Sequence, residues 1–326
     1  MTKPDVSIIV AVYNAEDYIG RCLDSLIAQT YKNIEIICVN DASTDHSQQI
    51  IDSYILKDDR IHSIVHPQNM NAGGAMNDGI KAAQGEYVCI VDNDDWLASN
   101  AVEELYKASD NCRFDIITCD WITYSNDNIK KYNKNLTDSL ETEENVIFSL
   151  INGCRILGAL IRKHIFIENS LFFPEKVFYE DNAIATCILC YANKVYPVHK
   201  PYYFYFLSEN SVTRSVSKRK IVDRIYTTDL FLSNMYSRGF VNEKNKKYVE
   251  YRYLMYSYRT IELIVLLDKY EKGKNKLVKK VGDKIKKYLP NELMENYHPE
   301  KLNILKHPIY FYHKILIAKF LNALTF

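Results

Sequence analysis

The sequence YVCIVDNDDW at residues 87–96 carries the strongest structural signal in this chain, because an apolar run leads directly into a cluster of acids. The apolar half predicts a buried strand. Three carboxylates at a strand end repel one another unless a positive charge lies among them, and hard cations such as Mg²⁺ take carboxylate and phosphate oxygens. Asp92 and Asp94 are therefore candidate metal ligands. The alternative is a solvated turn before the next helix, where Asn100 and Glu103 form a plausible capping box.

The composition predicts a globular protein without a global charge for binding nucleic acid. The chain has 326 residues, 47% of them hydrophobic, and a formal net charge of zero. This length suits one large domain or two modest ones. The charge is uneven, because residues 241–326 carry 18 Lys and Arg against 9 Asp and Glu, a net charge of +9, whereas residues 1–240 carry a net charge of −9. The two parts are therefore expected to face different partners.

Targeting and membrane signals are weak. Residues 1–5 lack the apolar core of a signal peptide, and no stretch reaches the roughly 18 to 20 apolar residues that span a bilayer. The eight cysteines are scattered through apolar segments, which favours buried reduced thiols over a disulfide framework. Cys187 and Cys190 have CxxC spacing without a second pair nearby, so core packing is favoured over a zinc or redox site.

The first 120 residues alternate strands and helices, which predicts an α/β fold with a mostly parallel, Rossmann-like sheet covered by helices on both faces. The predicted strands are 6–12, 34–39, 61–65, 87–91 and 115–119, and the predicted helices lie near 16–29, 45–56, 74–83 and 100–108. Ligands of such sheets bind beyond the carboxyl ends of the strands. Three polar clusters occupy those ends, at residues 13–14, 40–45 and 92–95, and are expected to converge on one crevice.

The motifs argue against the common dinucleotide and P-loop sites, because the chain has neither GxGxxG after the first strand nor a Walker A sequence. Asp41, at the end of the second strand, is placed to accept a hydrogen bond from a base N–H group or a ribose hydroxyl. The alternative is that Asp41 and Asp45 only cap the following helix. A nucleoside diphosphate held by its base at one strand end and through a metal ion at another fits the three clusters.

Several motifs, in order over residues 5–215, resemble those of the family 2 glycosyltransferases with the GT-A fold. They are VSIIVAVYN at residues 6–14, NDASTD at 40–45, and GEY at 85–87 leading into DNDD at 92–95. The resemblance implies that Asp41 contacts the nucleobase of a nucleotide sugar, and that Asp92 and Asp94 hold Mg²⁺ or Mn²⁺ on its diphosphate. The further donor-binding residues in the matching segments are Val12, Tyr13, Asn14, Asn71, Asn77, Asp92 and Asn93.

The sequence FYEDN at residues 178–182 resembles the ED motif of the same family, whose aspartate, here Asp181, is the catalytic base. Inverting transfer is a single displacement at the anomeric carbon, so one carboxylate suffices to take the proton of the acceptor hydroxyl. The leaving diphosphate needs no proton when a metal ion neutralises its charge. The alternative is that Glu180 and Asp181 only interact with the dipole of a helix predicted at residues 182–192.

Two positions depart from the pattern of the family. Many members carry Arg where this chain has Met76, and a basic residue in the tyrosine-rich strand where this chain has Phe206. The candidate replacements for these charges are Lys81, Arg214 and Lys218. The QxxRW motif of processive members is absent, because the only tryptophans are Trp96 and Trp121. Addition of a single sugar is therefore predicted.

The chain from residue 217 onward has helical periodicity and is predicted to form a helical region after a catalytic domain at residues 1–216. Its clearest predicted helices lie at 223–236, 248–270 and 276–288. Their tyrosines are expected to line an acceptor groove or, as is commoner, to pack in a core. The nearly apolar residues 307–321 follow a basic helix and predict contact with an anionic membrane surface. The alternative is packing on the protein itself or on a second subunit.

Together these features predict a Mg²⁺- or Mn²⁺-dependent inverting glycosyltransferase. Its donor is expected to be a UDP-linked sugar, and its acceptor a glycan or lipid-linked glycan of a bacterial surface polysaccharide such as capsule or lipopolysaccharide. The protein is expected in the cytoplasm or on the inner face of the membrane. One alternative is a sugar nucleotidyltransferase, although residues 12–15 are not the Gly-rich basic loop of that class. The other is a binding module without turnover, which Met76 and Phe206 suggest.

Overall fold

The computed structural model describes residues 3–125, 128–133, 155–207, 216–267 and 273–288. Within these ranges the chain divides into two compact units, the first within residues 3–207 and the second within residues 216–288. The first unit is built on a sheet, and the second is helical. Among the described residues, no helix is both long enough and apolar enough to cross a bilayer.

The first part of the chain is a repeated strand–helix unit. Its elements are β1 (Val6–Val12), α1 (Ile19–Ile27), β2 (Ile34–Asn40), α2 (Ser47–Ile55), β3 (Ile61–Val65), α3 (Asn71–Ala82) and β4 (Tyr87–Asp92). These strands are parallel and lie in the order β3-β2-β1-β4. β2 is buried at every position and β1 at every position except Ala11, as expected where helices cover both faces. The predicted α/β fold is confirmed.

The sheet continues beyond β4 with strands of mixed direction. The elements are β5 (Trp96–Leu97), α4 (Ala101–Ala108), β6 (Ile116–Ser125), β7 (Asn128–Asn133), β8 (Leu160–Arg162), α5 (His164–Ile167), α6 (Asp181–Tyr191) and β9 (Val195–Phe206). For the described residues the strand order is β3-β2-β1-β4-β8-β6-β9-β5, with β7 on β6. β8 is antiparallel to β4 and β6, whereas β6 and β9 are parallel. Because Trp96 pairs with Phe204, β9 holds the residues directly after the acids.

Two glycines allow α3 to approach its neighbours closely. A Cβ atom at Gly79 would lie 2.4 Å from Ile9 Cγ2 of β1, and one at Gly73 would lie 2.4 Å from the Pro174 carbonyl oxygen. A side chain at either position would therefore force the backbone apart. The same Cβ at Gly73 would lie 3.3 Å from Glu180 Cβ. The start of α3 is thus held next to the start of α6.

The start of α4 corrects one prediction. Asn100 precedes α4 but makes no side-chain hydrogen bond that caps it. The Glu103 carboxylate instead accepts from Thr30 Oγ1 at 2.6 Å and pairs with Lys107 Nζ at 2.9 Å. The predicted capping box is therefore wrong, and it does not account for the acids that precede this helix.

The cysteines in the described part of the chain are free thiols, and most are buried. Cys187 and Cys190 both lie on α6. Burial raises the pKa of the Cys190 thiol, with a smaller contribution from Cys187. A high pKa keeps a thiol protonated and unreactive, so these residues pack in the core.

The second unit contains the helices α7 (Lys218–Ser237), α8 (Lys246–Leu266) and α9 (Lys274–Tyr288). The apolar stripe of α9 is buried at Leu277, Val281 and Ile285. Its Lys284 forms an ion pair with Asp229 of α7. Other lysines of α9 stay exposed, namely Lys276, Lys279, Lys280 and Lys287. The predicted helical region is confirmed, whereas residues 307–321 lie outside the described residues.

Candidate active site

Acidic side chains gather at the carboxyl end of β4. Among the described residues, one carboxylate oxygen from each of Asp92, Asp94 and Asp95 lies within 4.8 Å of the others. Asp92 and Asp94 are partly exposed, whereas Asp95 is fully buried. Asn93 turns the loop back onto the sheet, because its Nδ2 donates to the Ala11 carbonyl of β1 at 2.7 Å. The two predicted metal ligands therefore lie together at an accessible point.

Asp95 anchors this loop and is a poor candidate ligand. Its Oδ2 accepts from the Tyr203 hydroxyl at 2.5 Å, and its Oδ1 accepts from the Phe206 backbone N–H at 2.7 Å. The Asp92 backbone N–H also donates to the Tyr203 oxygen, at 3.3 Å. Both Asp95 oxygens thus accept hydrogen bonds from β9, so Asp92 and Asp94 are the better candidate ligands.

The electrostatics of the loop indicate an excess of negative charge. Burial, followed by the charge of Asp94, raises the pKa of Asp92 to about 7. Burial also raises the pKa of Asp94, and burial together with both neighbouring charges raises that of Asp95 well above its usual range. Arg21 and Arg155 act in the opposite direction but do not offset these effects on Asp94. A bound cation would favour the ionised carboxylates.

Arg21 of α1 is the first of two arginines at this loop that the sequence did not reveal. Its Nη2 donates to the Asp94 carbonyl oxygen at 2.6 Å. The centre of its guanidinium lies 4.2 Å from the ring centroid of Trp96 and 4.3 Å from that of Phe206. A cation from another element therefore packs against Phe206, the position where a basic side chain was expected.

Arg155 supplies a second positive charge. Its Nη2 lies 3.6 Å from Asp95 Oδ2, and its guanidinium lies 4.8 Å from the ring centroid of Tyr203 and 4.6 Å from that of Tyr205. Burial alone would lower the pKa of Arg155, but the charges of Tyr203 and of the acids Asp95 and Asp92 raise it overall. Arg155 therefore remains charged beside the loop.

Of the candidate replacements predicted from the sequence, Lys81 lies on α3, the helix that also carries Met76. Met76 is buried on α3. Lys81 pairs with Asp78 at 2.9 Å on a partly exposed face of the same helix. Arg214 lies outside the described residues, and Lys218 begins the second unit. Within the described part of the first unit, Arg21 and Arg155 are the arginines that act on the acids.

The carboxyl end of β2 holds a carboxylate in a different setting. Asp41 is 2% exposed, and its Oδ1 accepts from the Met70 backbone N–H at 2.7 Å and lies 2.8 Å from His66 Nδ1. The buried His66 places its Nε2 3.2 Å from Asp78 Oδ2. Asp41 Oδ2 is buried and has no hydrogen-bond partner among the described residues. Such an atom is costly to leave unpaired, so it is a ready acceptor for the N–H group of a ligand.

Asp45 and Asp41 differ in their roles at this end of the sheet. Asp45 Oδ1 accepts from the Ser47 backbone N–H at 3.0 Å at the start of α2, and its Oδ2 accepts from the Glu16 N–H at 2.9 Å. The capping alternative therefore holds for Asp45. It does not hold for Asp41, whose side chain bonds to the segment after β3.

The end of β1 is tied to the end of β2. Asn14 has a left-handed φ of 46°, and its Oδ1 accepts from the Thr44 N–H at 2.8 Å while its own N–H donates to Ser43 Oγ at 3.1 Å. Val12 is buried, whereas Tyr13 is 48% exposed. Of these predicted donor-binding residues, Tyr13 exposes its side chain to solvent, while Asn14 shapes the loop.

The predicted donor residues of α3 separate into two kinds. Asn77 is 1% exposed, and its amide both donates to and accepts from the Phe173 backbone at 2.9 Å. Its side chain therefore positions the segment before α6, and a contact of Asn77 with the donor stays a prediction. Asn71 begins α3 with a φ of 60°, and its Nδ2 is buried without a hydrogen-bond partner among the described residues. Asn71 thus retains a donor group for a ligand.

The predicted base, Asp181, reaches the same region from α6. It is the first residue of this helix, and its side chain is exposed. Its charge contributes to the raised pKa of Asp92, and burial followed by the charges of Asp181 and Asp92 raises the pKa of Glu180 to about 8. Charges influence one another in this way only at short range. Asp92 and Asp181 therefore lie near each other although they are far apart in the sequence.

These positions allow a defined chemistry within the first unit. The end of β2 offers a buried oxygen for a ligand N–H group. The end of β4 offers two carboxylates of the kind that Mg²⁺ and similar ions prefer. The start of α6 offers an exposed carboxylate that can take a proton from an entering hydroxyl.

The chain is similar to known glycosyltransferases in sequence and in fold. The family model described as Glycosyl transferase family 2 matches residues 7–169. EpsH of Bacillus subtilis, a protein named as a glycosyltransferase, is 31% identical to this chain over 255 residues. The aligned region spans 76% of this chain and 72% of EpsH. Glycosyltransferase GlyA of Streptococcus pneumoniae is 32% identical over 260 residues, spanning 74% of this chain but only 36% of GlyA. The structure of S. aureus TarS 1-349 in complex with UDP-GlcNAc has a TM-score of 0.71 at 20% identity, covering 92% of this chain and 88% of that chain.

Proposed function

The chain belongs to glycosyl transferase family 2, and on this basis we propose that it moves one sugar, with inversion, from a nucleoside diphosphate sugar to a hydroxyl group of a glycan. It is a glycosyltransferase with the GT-A fold. The observation that carries the finer proposal is the influence of the Asp181 charge on Asp92, whose carboxylate lies close to that of Asp94, because it relates a candidate base to a candidate cation site. The donor, the metal and the acceptor are each supported by different residues.

The end of β2 supports a uridine donor. Asp41 Oδ2 can accept a hydrogen bond from a ring N–H group. Uracil carries such a group, whereas cytosine presents an acceptor at the corresponding ring nitrogen. TarS, which shares the fold, binds UDP-GlcNAc. A UDP-linked sugar would then place its base at the end of β2 and its diphosphate at the end of β4.

The end of β4 supports metal dependence. Asp92 and Asp94 would hold Mg²⁺ or Mn²⁺, since both carboxylates are partly exposed and carry a raised pKa, through burial at Asp94 and through burial and the charge of Asp94 at Asp92. When bound, such an ion neutralises the charge on the diphosphate leaving group. Asp95 fixes the loop through its two bonds to β9, and Arg155 adds a positive charge nearby.

The start of α6 supports the inverting mechanism. Asp181 would take the proton from the acceptor hydroxyl as that oxygen bonds to the anomeric carbon and the bond to the diphosphate breaks. A single carboxylate on the side opposite the leaving group is sufficient for this displacement. Because Asp181 is exposed and lies near Asp92, it can serve an acceptor that arrives from solvent.

We also propose that the acceptor belongs to a bacterial surface polysaccharide and that the second unit contacts an anionic membrane surface. The exposed lysines of α9 support this contact, since each cationic side chain near such a surface contributes about 1 kcal/mol. Deleting residues 307–326 should release the protein from anionic vesicles while nucleotide-sugar hydrolysis persists. If the full-length protein ignores anionic vesicles at low salt, this proposal fails.

Hydrolysis of nucleotide sugars tests the central proposal. Purified protein is incubated with UDP-, GDP- and CDP-linked sugars, with Mn²⁺ or with EDTA, and release of the nucleoside diphosphate is measured. We expect slow Mn²⁺-dependent release of UDP and none in EDTA. Pyrophosphate release from a nucleoside triphosphate and a sugar phosphate would instead indicate a nucleotidyltransferase. Binding of UDP without any turnover, with or without candidate acceptors, would indicate a binding module.

A further inference from the structure

Arg21 links α1 to β5 and β9 next to the acidic loop at residues 92–95. Its guanidinium bonds to the Asp94 carbonyl and lies against Trp96 of β5 and Phe206 of β9. Its Nε is also buried, without a hydrogen-bond partner among the described residues. A partly buried arginine that donates to a backbone carbonyl beside acids can fix the shape of a loop as well as alter its charge.

We propose that Arg21 is a positioning residue for the metal-binding loop, holding Asp94 and Trp96 so that the two ligand carboxylates converge. This inference rests on the proposed function, since it assigns Asp92 and Asp94 to a cation. Arg21 does not touch the cation or the sugar. It fixes the backbone that carries the ligands, as residues behind metal ligands commonly do.

The loop needs such support on two sides. Repulsion among three neighbouring carboxylates favours an open turn, and the strand that follows, β5, is only two residues long. Asp95 secures one side through Tyr203 and Phe206. Arg21 secures the other side through the Asp94 carbonyl and the face of Trp96. A planar guanidinium can stack and donate at once, which the ammonium of a lysine cannot do.

The two possible roles of Arg21, as a nearby positive charge or as a support for the ligands, predict opposite changes in cation affinity. If Arg21 acts only as a nearby positive charge, its removal strengthens cation binding. If it positions the ligands, substitution weakens cation binding even when the charge is kept. The variants are Arg21→Lys, which keeps the charge, and Arg21→Gln, which removes it. The matched control is Arg60→Lys, because Arg60 also bonds to a backbone carbonyl, that of Ile27, within the same unit.

Mn²⁺ binding in the presence of UDP is measured by calorimetry and by the electron spin resonance signal of free Mn²⁺. We expect Arg21→Lys to weaken Mn²⁺ binding about 10- to 100-fold, the usual effect of changing a residue behind the ligands. Arg21→Gln should weaken it as well, and Arg60→Lys should not. Unchanged or tighter Mn²⁺ binding in Arg21→Gln would overturn the positioning role.

Tryptophan fluorescence gives a second readout that needs no metal. With Trp121→Phe in the background, Trp96 is the only tryptophan of the chain. We expect Arg21→Lys to shift its emission to longer wavelength, because the ring gains contact with water when the guanidinium leaves. Unchanged emission would overturn the inference. Failure of the wild-type protein to bind Mn²⁺ would instead refute the proposed function, and the emission would still test Arg21.

Discussion

The ends of β2 and β4 lie on the same sheet but treat their carboxylates in opposite ways. At β2, Asp41 is held by a histidine and a backbone N–H, and one oxygen is left for a ligand. At β4, Asp92 and Asp94 are crowded by a third acid, and the pKa values of all three are raised. At β2 the protein's own groups therefore pair with one oxygen of the carboxylate. At β4, Arg21 and Arg155 do not offset the raised pKa of Asp94, so we expect the two ends to respond differently to mutation.

Asp94→Ala should have the largest effect, since it removes one of the two proposed metal ligands at the end of β4. We expect loss of turnover and of Mn²⁺-dependent UDP binding, whereas UDP binding in EDTA persists. Asp92→Ala should be milder if its contact runs through water or the ribose. The measurement is UDP-sugar hydrolysis with parallel calorimetry, and Asp59→Ala, at an exposed acid before β3, is the control. If Asp94→Ala retained wild-type turnover, the assignment of Asp94 as a metal ligand would be wrong.

Asp181→Asn should have the next largest effect and should act on rate alone. The amide keeps the shape of the side chain but cannot take a proton, so transfer should fall about 10²- to 10⁴-fold. The affinity for UDP and for Mn²⁺ should stay close to that of the wild type, because no proposed metal ligand or nucleotide contact is removed. Steady-state kinetics and calorimetry separate the two quantities. Equal losses of rate and donor affinity would place Asp181 in the donor site.

Asp41→Asn tests the end of β2 and should weaken binding of the nucleotide without changing binding of the metal ion. Its amide N–H₂ would face the ring N–H of uracil, so a hydrogen bond to a charged group is lost, about 1.5 to 3 kcal/mol. We expect UDP affinity to fall about 10- to 100-fold and discrimination against CDP to weaken. Asp58→Asn, at the opposite end of β3, is the control. A comparable change in metal binding without nucleotide would show that the two ends are not independent.

Glu180→Gln should have the smallest effect, one that appears only at high pH. The pKa of Glu180 is about 8 in the folded protein against an ordinary value of 4.5, so the folded state binds a proton that the unfolded chain releases. Its stabilising contribution is present below about pH 4.5 and is lost as the pH rises through 8. The variant mimics the neutral form and should be more stable than the wild type near pH 9, by on the order of 1 kcal/mol.

Chemical denaturation at about pH 5 and about pH 9 measures this difference. Glu168→Gln, at an exposed position after α5, serves as the control. The stability of the metal-free wild type should fall between these pH values more steeply than that of Glu180→Gln. Parallel curves for the two proteins would show that Glu180 does not sense the acids of the site.

The first part of the fold could be predicted because its signals are local. Apolar β-branched runs and amphipathic segments alternate from β1 to β4, and each observed strand begins where its pattern begins. β6 extends past its predicted end at Cys119 as far as Ser125, because residues 121–124 pair with β9 and β7. No local pattern reveals a partner strand so far along the chain, so β7, β8 and the length of β6 could not be read from the sequence.

At the site too, residues in local sequence motifs could be predicted, whereas residues that only tertiary structure brings there could not. Asp41, Asp92 and Asp94 could be proposed because strand ends attract ligands, and Asp181 because its motif resembles that of the family. Arg21 gave no signal, since a basic residue on an amphipathic helix is ordinary until the fold places it over Trp96. The bonds of Asn77 to Phe173 could not be predicted, because they depend on tertiary structure.

The pairing of β5 with β9 also sets the order in which this enzyme can assemble. β1 to β4 are joined by local crossovers and can pair soon after they are synthesised. Asp95 must wait for Tyr203 and Phe206, 108 and 111 residues later, and contacts of such long range form late in folding. The end of β2 can therefore form before β9 is synthesised, whereas the acidic loop at the end of β4 gains its Asp95 anchor only after β9 has paired with β5.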